Sequence, residues 1–157
     1  MIKKIIVHCS DSDHDHHDDI SVIREWHIAR GFSDVGYHYF IQKNGNIQKG
    51  RAENVMGAHV RGYNRDSLGV CLHGKNTFTK EQFQALKNLV EDIRTRYNLK
   101  LSDVYGHRDF DNKKTCPNFD VQEKMREPKE QKPQIKSFLS RLQAFFNKIT
   151  SKYLNQK

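Results

Sequence analysis

The sequence has few of the features that define several common classes of protein. None of its apolar runs approaches the ~20 residues that a membrane-spanning helix needs. Residues 1–10 are too short for the apolar region of a signal peptide, so we expect synthesis in the cytoplasm. Three cysteines, an odd number, cannot form a fully paired disulfide framework. With 157 residues, 36% of them hydrophobic, the chain is long enough for one domain with its own core and reduced thiols.

The positive charge is concentrated at one end of the chain. The formal net charge is +8. Residues 131–157 contain six basic residues and no acidic one, whereas the first 130 residues contain 21 basic and 19 acidic ones. A nearly neutral body with a basic tail predicts an attached segment with its own partner, and we do not expect nucleic acid to be that partner.

Hydrophobic periodicity and turn signals predict a mixed fold. Residues 1–10 and 68–72 are short apolar runs typical of buried strands. Asn-Gly at 44–45 is a strong signal for a β-hairpin. Residues 20–31 have apolar positions at helical spacing, and a capping box at 79–82 precedes a second, longer helix. The pattern predicts the α/β class, with a central mixed β-sheet flanked by helices.

The last thirty residues differ from the rest in composition. We predict a catalytic domain at 1–127, a linker at 128–133 and an additional basic amphipathic C-terminal helix at 134–157. On a helical projection the apolar residues of that last segment fill an arc of roughly 120° and the basic residues fall outside it. Such a helix could bind an anionic membrane or lipopolysaccharide, or it could dock on the domain. Both alternatives stay open.

Three residues are candidate zinc ligands: His8, His107 and Cys116. Imidazole nitrogen and thiolate sulfur both suit zinc, and three protein ligands leave a fourth tetrahedral position for water, as in catalytic sites. The tight CxxC pairs of structural zinc fingers are absent from the sequence. Spacing alone leaves another interpretation open, in which these are a strand-end histidine, a loop histidine and an inert thiol.

Six segments match a known family in order and in spacing. The sequence resembles the zinc-dependent N-acetylmuramoyl-L-alanine amidases of the phage-lysozyme type, which are related to the peptidoglycan-recognition proteins. The resemblance extends from residue 1 to about residue 125. Its segments are VHCS (7–10), IREWHIARGFSDVGYHYFI (23–41), NGNIQKGR (44–51), GAHVRGYNRDSLGVCLHG (57–74), GHRDF (106–110) and KTCPNFD (114–120).

The resemblance implies one zinc ion per chain on His8, His107 and Cys116, and catalytic roles for Tyr37 and Lys114. A lysine ammonium can stabilise an oxyanion, and a tyrosine hydroxyl can position water or relay a proton. The sequence has no HExxH motif, so the identity of the general base stays open. Without the resemblance, Tyr37 would be a core aromatic beside the hairpin and Lys114 a solvated loop charge.

The same resemblance implies substrate-binding roles for His59 and Asn64. The alternative is that both residues satisfy the backbone of their own loop. Cys9 alternates with His8 along a predicted strand, so we expect it to point away from the metal. Residues 11–19, with three histidines and five aspartates, are expected to form a flexible, solvated loop.

The implied activity is hydrolysis of the amide between N-acetylmuramic acid and the L-alanine of the peptidoglycan stem peptide. We expect a monomeric phage or prophage endolysin that acts on the bacterial cell wall during host lysis. One alternative is a peptidoglycan-recognition module that does not hydrolyse its ligand. Another is a basic regulatory protein, which has only the net charge in its favour.

Overall fold

The computed structural model describes residues 1–128. The predicted tail helix at 134–157, and all of the predicted linker except Pro128, lie outside the described residues. Within these residues, five strands form one sheet and three α-helices pack around it. The strands are Lys4–Cys9 (β1), Tyr39–Ile41 (β2), Ile47–Lys49 (β3), Ser67–Leu72 (β4) and Val104–Gly106 (β5), and the helices are Ile20–Ala29 (α1), Lys80–Tyr97 (α2) and Val121–Arg126 (α3).

The sheet is mixed, with the strand order β3-β2-β4-β1-β5. β1 runs parallel to both β4 and β5, β2 runs parallel to β4, and β2 and β3 form the one antiparallel pair. That pair is the hairpin predicted at Asn44 and Gly45, and Gly45 adopts the positive φ of 83° that this turn requires. The predicted α/β class with a central mixed sheet is confirmed. Within residues 1–128 none of the helices combines the length and hydrophobicity that a membrane span requires.

The two faces of the sheet have separate cores. On one face α2 packs Leu86, Val90 and Ile93 against Ile5 and Val7 of β1. On the other face, under α1, a smaller cluster of buried hydrophobic residues forms the second core. Since side chains alternate along a strand, His8 projects to the side opposite Val7, toward α1. The smaller cluster contains Ile20, Ile23, Val35, Phe40 and Cys71.

The start of α2 is fixed by the capping box that the sequence predicts. The Thr79 hydroxyl accepts a hydrogen bond from the amide of Gln82 at 3.1 Å, and the Gln82 side chain accepts from the amide of Thr79 at 3.0 Å. The buried Gln82 amide also donates to the carbonyl oxygens of Ile41 and His73, at 3.1 and 2.7 Å. One side chain therefore caps the helix and ties it to the ends of β2 and β4.

The aspartate- and histidine-rich loop has specific anchors that its composition does not predict. The Asp13 carboxylate accepts hydrogen bonds from the backbone amides of Lys75, Asn76 and Thr77 at 2.9 to 3.4 Å. These bonds hold the pKa of Asp13 well below its usual value. At the other end Asp19 caps α1 by accepting from the amide of Ser21 at 2.8 Å. The loop is therefore anchored at Asp13 and Asp19, while most of its residues are exposed to solvent, as expected.

A charged cluster joins α2 to the segment that follows β3. The carboxylate of Glu53 accepts two hydrogen bonds from the Arg96 guanidinium, at 2.6 and 2.8 Å, and others from the hydroxyls of Tyr39 and Tyr97. The Arg96 hydrogen bonds lower the pKa of Glu53 to about 2. Glu53 is only 20% exposed, so we expect its replacement to lower the free energy of unfolding.

We expect Glu53→Gln to lower the free energy of unfolding by about 1–2 kcal/mol near pH 7, after allowance for the exposure of Arg96. The folded-state pKa lies below the unfolded value of 4.5, so this stabilisation is complete above pH 4.5 and is lost as the pH falls toward 2. Urea unfolding of both proteins across this range would show the difference shrinking. The control is Asp92→Asn, which removes the more exposed partner of the same arginine and should cost less. A difference independent of pH would contradict the account.

Candidate metal centre

Two adjacent parallel strands bring the predicted histidine ligands together. β1 pairs with β5 so that Val7 lies opposite Gly106, and His8 and His107 each follow one of these paired residues. Their ring centroids are 4.8 Å apart. The pairing therefore brings together two side chains separated by 99 residues of sequence.

The loop after β5 supplies the third predicted ligand. The sulfur of Cys116 lies 3.9 Å from Nδ1 of His8, and the ligand atoms of His8, His107 and Cys116 all lie within 4.8 Å of one another. The amide of Arg108 donates to the carbonyl of Cys116 at 2.9 Å, which folds the loop back on itself. The loop can lie this close to the strand because a Cβ on Gly106 would stand only 2.9 Å from Cδ of Pro117.

Cys9 also contacts this cluster. Its amide donates to the sulfur of Cys116 at 3.3 Å. This hydrogen bond comes from the backbone of Cys9, and its thiol is not among the converging ligand atoms, so the orientation expected for its side chain stays a prediction. The Cys9 thiol and burial together raise the pKa of Cys116. A bound dication would oppose this shift, because it stabilises the thiolate form.

The cluster fits a zinc ion. A tetrahedral site with Zn–N near 2.0–2.1 Å and Zn–S near 2.3 Å separates its ligand atoms by roughly 3.3–3.8 Å. The observed separation of 3.9 Å between Cys116 and His8 is close to that range. Burial, followed by the neighbouring His59 and His107, lowers the pKa of His8 well below its usual value. His8 is therefore neutral, which is the form that binds metal.

The two predicted catalytic residues border the same groove, which has a volume of about 380 Å³. The ring of Tyr37 is half-buried, 5.0 Å from that of His8. Burial raises the pKa of Tyr37 well above its usual value, so the hydroxyl keeps its proton. Lys114 lies on the exposed rim, and burial together with its charge lowers the pKa of His107. The groove therefore presents a proton donor and a cation beside the metal-ligand cluster.

The predicted substrate-binding residues have different surroundings. His59 lines the groove, and its Nδ1 lies 3.0 Å from Nε2 of His8. Burial, with smaller effects of His38 and His107, lowers the pKa of His59 to about 3. The amide oxygen of Asn64 accepts from the backbone amides of His59 and Val60, both at 2.8 Å. Asn64 thus satisfies its own loop, as the alternative interpretation of the sequence allowed, and substrate contact by either residue stays a prediction.

The sequence analysis did not identify Trp26 and Arg30, which form part of the groove wall. Both belong to the α1 region, four residues apart, and the side chain of Arg30 donates to the carbonyl of Trp26 at 3.1 Å. Their spacing places them on one helix face, which is the signal that could have indicated them. A larger cleft of about 940 Å³ contains the Glu53–Arg96 pair, but none of the predicted site residues lines it.

Comparison with known proteins agrees with this geometry. The family model for N-acetylmuramoyl-L-alanine amidase matches residues 1–119. The endolysin of Klebsiella phage KP32 is 36% identical over 126 residues, which cover 75% of this chain and 82% of that protein. The solved structure of the amidase LysC from Clostridium intestinale URNW superimposes with a TM-score of 0.71 at 30% identity, over 78% of this chain and 82% of that one. Drosophila PGRP-LB superimposes with a TM-score of 0.63 at 30% identity, over 74% of each chain. The chain belongs to the N-acetylmuramoyl-L-alanine amidase family.

Proposed function

We propose that this chain hydrolyses the amide bond between N-acetylmuramic acid and the L-alanine of the peptidoglycan stem peptide. The observation that carries the proposal is the convergence of two imidazoles and one thiol, with all ligand atoms within 4.8 Å of one another, beside a groove that Tyr37 and Lys114 line. Family membership supports the same reaction. The similarity to phage endolysins supports a role in lysis of the host cell wall.

We propose one zinc ion per chain, held by His8, His107 and Cys116. When bound, this ion supplies a Lewis acid that activates water and polarises a carbonyl oxygen. The three ligand side chains come from a buried strand end and an adjoining loop, so they are held in place by the fold. His8 is only 1% exposed, which limits the movement of its ring.

Tyr37 and Lys114 supply what amide cleavage needs beyond a metal. The Tyr37 hydroxyl retains its proton at neutral pH, so its O–H can donate a hydrogen bond to the scissile carbonyl or relay a proton to the leaving amine. The Nζ of Lys114 carries a positive charge on the rim of the groove, where it can stabilise the oxyanion that forms on attack. The groove walls would orient the substrate so that the carbonyl on the muramic acid side of the amide meets these groups, with the amine of L-alanine as the leaving group.

Digestion of purified peptidoglycan tests the proposal and distinguishes it from recognition without hydrolysis. Mass spectrometry of the soluble fraction should show free stem peptides with a new amino group on L-alanine, and a chelator should prevent their release. Binding to the wall without release of peptides would support the non-hydrolytic alternative. New reducing sugar ends would indicate cleavage of the glycan strand and would also contradict the proposal.

We propose a separate role for the basic tail, based on its sequence alone. Its six basic residues and its apolar stripe suit attachment to an anionic membrane or lipopolysaccharide surface. Each basic residue near such a surface contributes about 1 kcal/mol, and salt screens this attraction.

A chain that ends at Pro128 tests the role of the tail. It should keep zinc and digest isolated peptidoglycan normally, because every matched motif precedes that point. It should lose binding to vesicles that contain anionic lipid, and added salt should weaken vesicle binding by the full chain. If the tail docks on the domain instead, truncation should lower the melting temperature and leave vesicle binding unchanged.

A further inference from the structure

The ring of His59 lies against the metal-ligand cluster in a slot formed by two glycines. A Cβ on Gly57 would stand 2.5 Å from Cδ2 of His59, and one on Gly69 would stand 2.7 Å from the same atom. Distances this short exclude any side chain larger than that of glycine without displacement of the ring. The His59 and His8 rings meet edge to face, with an interplanar angle of 86°. The ring of His59 is therefore held in one orientation against His8.

The hydrogen bonds beyond His59 define which nitrogen carries its proton. The Ser67 hydroxyl donates to the carbonyl oxygen of Tyr63 at 2.6 Å, and a carbonyl oxygen can only accept. That bond uses the single hydrogen of the hydroxyl, so the Ser67 oxygen accepts from Nε2–H of His59, at 3.3 Å. Ser67 is 1% exposed, so water does not compete for these bonds.

The direction of these bonds determines the tautomer of His8. With its proton on Nε2, His59 has a lone pair on Nδ1, which accepts from Nε2–H of His8 at 3.0 Å. His8 then has a lone pair on Nδ1, the nitrogen that faces the sulfur of Cys116 at 3.9 Å. In the other tautomer of His8 this nitrogen would carry a proton and could not bind a metal.

We propose that His59 is a positioning residue for His8. Ser67 and the carbonyl of Tyr63 fix the proton of His59, and His59 in turn holds His8 in the tautomer that offers Nδ1 to the metal. The inference rests on the proposed zinc site but not on the reaction. It adds a role to the substrate contact predicted for His59. Outer hydrogen-bond partners of metal ligands typically contribute 10–100-fold to metal affinity.

The first test uses the full-length wild-type chain. Nitrogen-15 NMR of the metal-free and zinc-loaded protein should show His8 with its proton on Nε2 in both states, and His59 likewise. A His8 ring protonated on Nδ1 in the metal-free protein would overturn the proposal. This measurement does not depend on peptidoglycan hydrolysis, so an inactive protein with the expected tautomers would refute the proposed function and leave the inference standing.

The second test compares two substitutions of one residue. His59→Phe keeps a ring but removes both nitrogens, so we expect the zinc dissociation constant, measured against a chromophoric chelator, to rise by about 10–100-fold. His59→Asn offers an amide oxygen near the position of Nδ1 and should recover most of the affinity. Unchanged zinc affinity in His59→Phe, with only a higher KM, would show that His59 contacts substrate and does not position His8.

If His59→Phe does not fold, a substitution of Ser67 tests the same proposal. Ser67→Ala removes the acceptor for Nε2–H of His59 and leaves both rings in place. We expect weaker zinc binding and a mixture of His8 tautomers in its metal-free spectrum. A single Nε2-protonated His8 with wild-type zinc affinity in Ser67→Ala would overturn the role of the relay.

Discussion

Cys116→Ser is expected to abolish both zinc retention and amide hydrolysis. The substitution replaces the thiolate of the ligand cluster with a neutral hydroxyl, which is a poor zinc ligand. Two imidazoles alone do not complete the set of three protein ligands that catalytic zinc sites use. Metal analysis after dialysis and release of stem peptides from purified wall are the two measurements.

Cys9→Ser is the matched control for that experiment. Cys9 contacts the sulfur of Cys116, but it is not among the three converging ligands. Its serine variant should therefore keep one zinc ion per chain. A Cys116→Ser protein with stoichiometric zinc and full turnover would refute the assignment of the ligands.

Tyr37→Phe and Lys114→Ala are expected to separate zinc binding from catalysis. Both variants should keep zinc and their fold, because neither residue belongs to the ligand cluster. Each should lose on the order of 10²-fold or more in rate, as is typical when a proton-transfer or oxyanion group is removed. Steady-state rates on soluble wall fragments, together with metal analysis of the same samples, provide the measurement.

Lys113→Ala is the control for the lysine. Lys113 lines the same groove and is exposed like its neighbour, but the family resemblance assigns it no role. Its variant should stay much closer to the wild-type rate than Lys114→Ala. Equal losses at the two positions would mean that the groove needs only positive charge. Unchanged rates in both Tyr37→Phe and Lys114→Ala would mean that the family roles do not transfer to this chain.

Features encoded over a few residues could be predicted from the sequence. The Asn44–Gly45 turn, the capping box at Thr79 and the apolar runs of β1 and β4 each appear where their local patterns place them. These features depend on residues that are close together in the sequence, so local sequence patterns are enough to predict them.

Features that depend on which strands pair could not be derived from the residues alone. His8 and His107 meet because β1 and β5 are adjacent and parallel, and no local pattern specifies that pairing. The family resemblance indicated instead that both residues are ligands of one zinc ion. The hydrogen bond from the Cys9 amide to the sulfur of Cys116 could not be predicted for a related reason, since it depends on a distant loop that covers the strand end. The anchoring of Asp13 to residues 75–77 is likewise a long-range contact.

X-ray absorption spectroscopy at the zinc edge of the metal-loaded, full-length chain tests the central claim most directly. The account predicts one sulfur at about 2.3 Å and two imidazole nitrogens at about 2.0–2.1 Å, with a light atom in the remaining position. Two sulfurs around the metal would mean that Cys9 has replaced one of the proposed ligands, and a shell without sulfur would exclude Cys116. Either result would contradict the zinc centre of His8, His107 and Cys116.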